Sequence, residues 1–300
     1  MITLHALGAQ EPAAWRDPSP HEVRFVHVER DVRVEVLDWG GQGRPLLFVG
    51  CYLTAHVYDG IAPKLTGHFR VAAVTHRGVG ASDRPASGYD PHRRAADILA
   101  VIVALGMQKP ILVGNSCGGD ILHTLGAEHP DHIGGLVYLD AAEDPTLTMA
   151  DYDLPPVDRE NLPARVGKGV SAPFPEAEQR LLTERPIDPA IRKAIVEENR
   201  VRPNYAAIRV PVLAVYRAVA MEEALEQYPP KNDMQREALM QGLAAQRAML
   251  AKWQGDLKTG VPGARIVELP RSNLYMFLSN EAEVIREIRA FVATLPGGGQ

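Results

Sequence analysis

Apolar and polar residues alternate from Val23 to Val28 and again from Val32 to Leu37. A period of two marks strands with one face buried. Gly40-Gly41-Gln42-Gly43 then reads as a turn. Further on, the pattern becomes short runs that are apolar throughout: Leu46–Val49, Val71–Val74, Ile111–Val113, Leu136–Leu139 and Val212–Val215, with a mixed run Arg265–Leu269 last. Such runs fit strands covered on both faces. Helical spacing lies between them. Arg93 to Leu105 carries Ala96, Leu99, Ala100 and Val103 on one stripe, and Gly106 ends it. Gly118 to Glu128 and Glu281 to Leu295 are the other clear helices. The alternation predicts an α/β chain with a mostly parallel sheet and helices on both faces.

Residues 143–208 break this rhythm, with nine prolines and one clear helix from Asp188 to Arg200. Pro189 stands at a position early in that helix where proline is tolerated. An irregular stretch of this length leaving the carboxyl end of a strand reads as a lid over a ligand site, the alternative being a surface insertion. Residues 221–254 are rich in helix formers and are broken at Pro229-Pro230, so a helix or a helix pair is expected. The expected organisation is a flexible arm over 1–21, a core from 22–142 and 209–296, a cap from 143–208 and a tail from 297–300.

Composition narrows the class without naming a function. Thirty-two Lys and Arg against 37 Asp and Glu leave a net charge of −5. That gives no electrostatic reason to expect nucleic acid or an anionic membrane as partner. The first twenty residues lack the charged start and apolar centre of a secretory signal, and no apolar run is long enough to span a bilayer, so a cytoplasmic location is expected. Two cysteines, Cys51 and Cys117, exclude a disulfide framework and a cysteine-rich zinc cluster. They read as small buried residues lining a pocket.

The chemistry concentrates in Val113-Gly114-Asn115-Ser116-Cys117-Gly118-Gly119, a Gly-x-Ser-x-Gly motif between a buried strand and a helix. A serine in so sharp a turn needs tiny neighbours two residues away on each side, and Gly114 and Gly118 supply them. Gly119 lets the helix approach the sheet. The helix start then aims backbone donors at the serine oxygen. The alternative is a structural glycine turn with an idle serine.

On these residues the chain resembles the α/β-hydrolase fold superfamily, in its esterase and epoxide-hydrolase-like branch. Arg77-Gly78-Val79-Gly80-Ala81-Ser82 after the fourth strand and Leu139-Asp140-Ala141-Ala142 after the sixth extend the likeness. The resemblance implies an eight-stranded, mostly parallel sheet, a cap inserted after the sixth strand, and a serine–acid–histidine triad. It implies an oxyanion hole from the backbone N–H groups of Cys117 and, in the loop Gly50-Cys51-Tyr52, of Cys51. Gly50, Tyr52, Asn115, Tyr275 and Met276 are the expected pocket residues. Tyr152, Phe174 and Tyr205 are further aromatic candidates, for which core packing is the plainer reading.

The likeness falters at the triad. No carboxylate closely follows the seventh strand, so Asp140 after the sixth is the acid candidate, with Glu222 the alternative. Where the branch resembled has its histidine, this chain has Leu274. No histidine follows His132. A serine without a base is a weak nucleophile. His76, at the end of the fourth strand, is a candidate substitute base, with His56 behind it; a hydrogen-bonded loop histidine is the plainer reading. His123 stands two turns down the helix after Ser116. His5, His21, His27, His68, His92, His129 and His132 read as arm, surface or helix-end residues. No metal and no cofactor are expected. Three readings remain open: a hydrolase of a small ester or related carbonyl compound through Ser116 with a non-standard or missing base, a lyase, cyclase or decarboxylase reusing the pocket, and a catalytically silent binder. A small molecule is the expected partner in the enzymatic readings. Oligomeric state is left open.

Overall fold

The computed structural model describes residues 19–147, 151–152, 157–158, 160–161, 187–218 and 221–296. Most of the expected arm, Phe174 and much of the expected cap lie outside the described residues. The strands are β1 (Glu22–Glu29), β2 (Val32–Gly40), β3 (Arg44–Val49), β4 (Phe69–Thr75), β5 (Ile111–Asn115), β6 (Gly135–Leu139), β7 (Val212–Arg217) and β8 (Arg265–Leu269). They form one eight-stranded sheet in the order β1-β2-β4-β3-β5-β6-β7-β8. β2 runs antiparallel to both β1 and β4, and every pairing from β4 to β8 is parallel.

The longer helices among the described residues are α1 (Pro91–Ala104), α2 (Gly118–Glu128), α3 (Pro189–Glu198), α4 (Met221–Gln227), α5 (Asp233–Gly260) and α6 (Glu281–Ala293). The break at Pro229-Pro230 separates α4 from α5, as the sequence pattern requires. Asp90, Asp188 and Asn232 each accept a backbone N–H from the first turn of α1, α3 and α5, satisfying donors that the helix cannot.

Both faces of the sheet are covered by apolar clusters. One contains Val34, Leu47, Val74 and Leu112 of the sheet with Ile98 and Val101 of α1, Ile121 and Leu125 of α2, and Leu257 of α5. The other contains Leu46, Phe48, Val113, Val137 and Leu213 with Tyr58, Ile61 and the α6 residues Val284, Ile288 and Phe291. Alternate residues of β3 to β7 therefore feed opposite cores, which is why their central runs carry no polar member.

One expectation is reversed. The buried stripe of α1 is Arg94, Ala95, Asp97, Ile98, Val101 and Ile102, while Val103 is 74% exposed. The apolar spacing misled because two buried positions of the true stripe are charged. Asp97 receives Arg77 in a two-pronged pair, Nε to Oδ2 at 2.6 Å and Nη2 to Oδ1 at 2.7 Å. Arg77 also reaches Glu29 at 2.6 Å. Both Arg77 and Asp97 are about 1% exposed or less. They fix the turn after β4, where Gly78 and Gly80 adopt φ of +81° and +53°, onto α1 and β1. A buried pair left half-made costs far more than a surface one. Asp97→Ala is therefore expected to lower unfolding free energy by about 3–5 kcal/mol in urea denaturation; a change below about 1 kcal/mol would contradict this account.

Candidate active site

The parallel strands β3, β5, β6 and β7 end at one edge of the sheet, in register through Val49↔Gly114, Asn115↔Leu139 and Leu139↔Val215. The candidate site is built on this edge. Immediately after β5, Ser116 takes φ +51°, a left-handed conformation that side chains other than glycine rarely adopt. Its carbonyl accepts the N–H of Gly119 at 2.8 Å, and Cys117 caps α2. The glycines around it have no room for a side chain. A Cβ at Gly114 would stand 2.9 Å from Leu122, one at Gly118 2.4 Å from the Val49 oxygen, and one at Gly119 1.8 Å from the Ala141 oxygen. The turn therefore presents Ser116 at the carboxyl edge of the sheet, at the foot of an eleven-residue helix.

Ser116 shares a cleft with Gly50, Cys51, Tyr52, Leu53, Tyr58, Asn115, Tyr275 and Phe277. Four of the five expected pocket residues line it. Met276 does not: it is fully buried in the core beneath the sheet, and Phe277 takes the place expected for it. The short helix Met276–Ser279 turns the chain there, so neighbours in sequence face different sides. The free space in this cleft is about 10 Å3, the bare minimum for one water molecule.

Cys51 and Cys117 are not independent pocket residues. They are joined as a disulfide across 66 residues, with their Cα atoms 5.4 Å apart. Two cysteines far apart in sequence gave no framework to read; β3 and β5 pair side by side and bring their ends together.

Asp140 follows β6 at φ +50°, with its N–H on the Val215 carbonyl at 2.8 Å. Its carboxylate meets Arg217, at the end of β7, with Nε 2.5 Å from Oδ2. Burial raises the Asp140 carboxyl, and the Arg217 guanidinium opposes that rise. Arg217 was not foreseen. The signal was a cation ending an otherwise apolar strand, one register step from the acid. Glu222 lies exposed in the first turn of α4. Its neighbour Glu223 accepts the Arg271 N–H at 3.2 Å.

Leu274 stands beside the elbow. Asn115 Nδ2 donates to the Leu274 carbonyl at 2.7 Å and to the Leu139 carbonyl at 2.8 Å. A leucine side chain carries no proton at any pH. His76 is fully buried, and neither ring nitrogen has a hydrogen bond of good geometry. Burial and the nearby Arg94 lower it to about 3, which makes it neutral and a weak proton acceptor at ordinary pH. His123 is likewise buried, with Nδ1 on the Tyr138 hydroxyl at 3.1 Å, and lies at about 4 through burial.

A polar network runs behind the elbow helix. Asn199, just past α3, donates to Asp120 of α2 at 2.6 Å and accepts from the fully buried Arg94 of α1. Burial lifts Asp120 to about 8 against the pull of Arg94, and lifts Glu143 to about 7.

His21, read from the sequence as an arm or surface residue, is held in place. Its Nδ1 lies 2.9 Å from Asp59 Oδ1, and His56 Nδ1 lies 3.1 Å from Asp59 Oδ2. Among the described residues, His21, His56 and Asp59 bring ligand atoms within 4.8 Å of one another. These three could hold a metal. As they stand, the Asp59 carboxylate bridges the two rings, a complete hydrogen-bonded arrangement in itself. Also among the described residues, no helix is long and apolar enough to cross a membrane.

Comparison with known proteins agrees with this architecture. Residues 44–188 match the family described as alpha/beta hydrolase fold. The chain has the α/β-hydrolase fold. Among its relatives, 2-(acetamidomethylene)succinate hydrolase of Mesorhizobium japonicum is 32% identical over 36% of this chain and 39% of its own length. An AB hydrolase superfamily protein of Bacillus subtilis is 36% identical over 39% of this chain and 45% of its own. The matches thus span less than half the length of these curated relatives. The crystal structure of E-2-(acetamidomethylene)succinate hydrolase superposes with a TM-score of 0.64 at 21% identity, covering 91% of this chain and 100% of that one. This α/β-hydrolase chain thus shares its fold with the solved enzyme along nearly its whole length.

The buried acids set a pH dependence. Between its ordinary 3.8 and its folded value of about 8, Asp120 holds a proton in the folded chain that the unfolded chain has lost. Stability from this group therefore falls as pH rises through that window. His76 and His123, lowered by burial, act in the opposite sense, but only below their ordinary 6.5. Unfolding free energy is thus expected to fall by up to about 2 kcal/mol from pH 6.5 to 8. Asp120→Asn, which keeps the neutral shape, should flatten most of this slope. Urea denaturation across this range checks it, and an equal slope in the variant would contradict it.

Proposed function

We propose that this chain is a hydrolase of a small ester or related carbonyl compound, with Ser116 as nucleophile and with no imidazole at the usual base position. The observation that carries the reading is the elbow. A serine held at φ +51° between glycines that admit no Cβ is a strained conformation, and such strain collects at functional sites. The superfamily's hydrolase members, among them the succinate-derivative hydrolase named above, support the same class.

In this reading the Ser116 oxygen attacks the substrate carbonyl, and the backbone N–H groups of Cys51 and Cys117 receive the developing oxyanion. Such donors are worth about 3–4 kcal/mol each in acyl transfer. With Leu274 in place of the triad histidine, the proton passes to solvent or to the substrate's own leaving group. Turnover is then slow. In a serine protease, loss of the triad leaves roughly a thousand- to ten-thousand-fold over the uncatalysed rate.

A second reading has its own support. The Asp140 carboxylate, which would orient a triad histidine, is engaged by Arg217 at 2.5 Å. A site with neither base nor free acid suits a carbonyl binder or a non-hydrolytic enzyme in which Ser116 anchors the substrate.

A fluorophosphonate probe separates the two. With reductant present, it is expected to label the native chain at Ser116 and to leave Ser116→Ala unlabelled, as read by mass spectrometry of the modified peptide. A folded chain that stays unlabelled overturns the nucleophile reading. Leu274→His is expected to raise hydrolysis of a nitrophenyl ester by at least about 100-fold, the lower end of general-base catalysis. A gain below about threefold would show that more than the ring is missing.

A further inference from the structure

The Cys51–Cys117 bond sits where a structural staple is least expected. One of its residues lies in the loop after β3, and the other directly follows Ser116 at the start of α2. β3 and β5, which carry these ends, are already hydrogen-bonded neighbours through Val49↔Gly114. The bond therefore adds little to the path of the folded backbone. What it does is tie the loop after β3 to the elbow, across a cleft with about 10 Å3 of free space.

Its surroundings also bear on reactivity. Cys51 is 4% exposed, packed with Tyr89 and Ile195, while Cys117 is half-buried, beside Tyr52 and the α3 residues Ile191 and Ala194. The residue carrying one sulfur, Cys117, is thus more exposed than the other. That sulfur belongs to the N-cap of an eleven-residue helix, whose partial positive charge favours a thiolate. Accessibility and stabilisation of the thiolate coincide at Cys117, the combination that thiol–disulfide exchange requires.

We propose that Cys51 and Cys117 form a redox-active pair, a thiol–disulfide exchange site whose substrate is a small thiol, and that its reduction loosens the wall of the Ser116 pocket. A small thiolate attacks Cys117 Sγ. The sulfur–sulfur bond breaks, and its electron pair goes to Cys51 Sγ, which takes up a proton. A second small thiolate attacks the outer sulfur of the mixed disulfide and releases Cys117 as a thiolate at the helix start. Two small thiols are oxidised to one disulfide, and the protein's disulfide is reduced to two thiols. With the tie gone, residues 50–53 can move away from the elbow and admit a ligand larger than water.

The experiment uses the full chain equilibrated in glutathione buffers of graded redox ratio, with free thiols counted by an aryl disulfide reagent. The expected result is no reactive thiol at the oxidising end, two at the reducing end, and a midpoint reached without denaturant. In Cys51→Ala, Cys117 is expected to carry glutathione at high occupancy by intact mass. In Cys117→Ala, Cys51 should carry at least fivefold less. Hydrogen exchange of the native chain is expected to quicken at least tenfold in residues 50–53 on reduction. Two free thiols throughout would overturn the pairing. A bond that glutathione reduces only after unfolding would make it a structural staple and overturn the exchange site. Unchanged hydrogen exchange would overturn the loosening. None of these readouts depends on Ser116 reacting, so failure of the fluorophosphonate test alone counts against the proposed hydrolase and not against this site.

Discussion

The approach of α2 to the ends of three strands is the constraint on which the site depends. At Gly118 and Gly119 the helix runs so close to the Val49 and Ala141 carbonyls that only a hydrogen atom fits where a side chain would begin. This contact dictates the turn before the helix, and the turn dictates the left-handed backbone of Ser116. The same closeness places Cys117 beside the loop after β3 and Asn115 between the carbonyls of Leu139 and Leu274. Glycine usually costs a helix about 1 kcal/mol relative to alanine. Here two at its start allow the elbow to exist.

The described charge at the carboxyl edge centres on an ion pair. Asp140 is engaged by Arg217, and the Leu274 carbonyl is held by Asn115 beside the elbow. The other buried ionisable groups near the elbow, Arg94, Asp120 and His76, are joined through Asn199 or left without good partners. Electrostatic order is thus retained around α2.

Much of this was legible in the chain. Five strands, β3 to β7, were readable because each short apolar run is buried on both faces, β1 and β2 because they alternate, and the elbow was readable because its glycines answer a steric demand. What escaped was long-range. The α1 stripe was misread because Arg94 and Asp97 are buried through partners at Asn199 and Arg77, and no local period shows that. The Cys51–Cys117 bond, the Asp140–Arg217 pair and the meeting of His21 with His56 and Asp59 each join segments whose proximity only the sheet order creates. The expectation for Met276 missed by one residue, since Phe277 lines the cleft and Met276 lies in the core.

Asn115 carries a consequence for chemical ageing. Its side-chain nitrogen is a donor shared by two carbonyls, so one amide gathers the ends of β5 and β6 and the loop after β8. Asparagine is among the thermolabile residues, and loss of that amide nitrogen would put a carboxylate oxygen against two carbonyl oxygens. Attraction at this junction would become repulsion, with no donor left to hold it. The lifetime of the elbow therefore rests on the chemical integrity of the residue next to the serine, as much as on the packing beneath it.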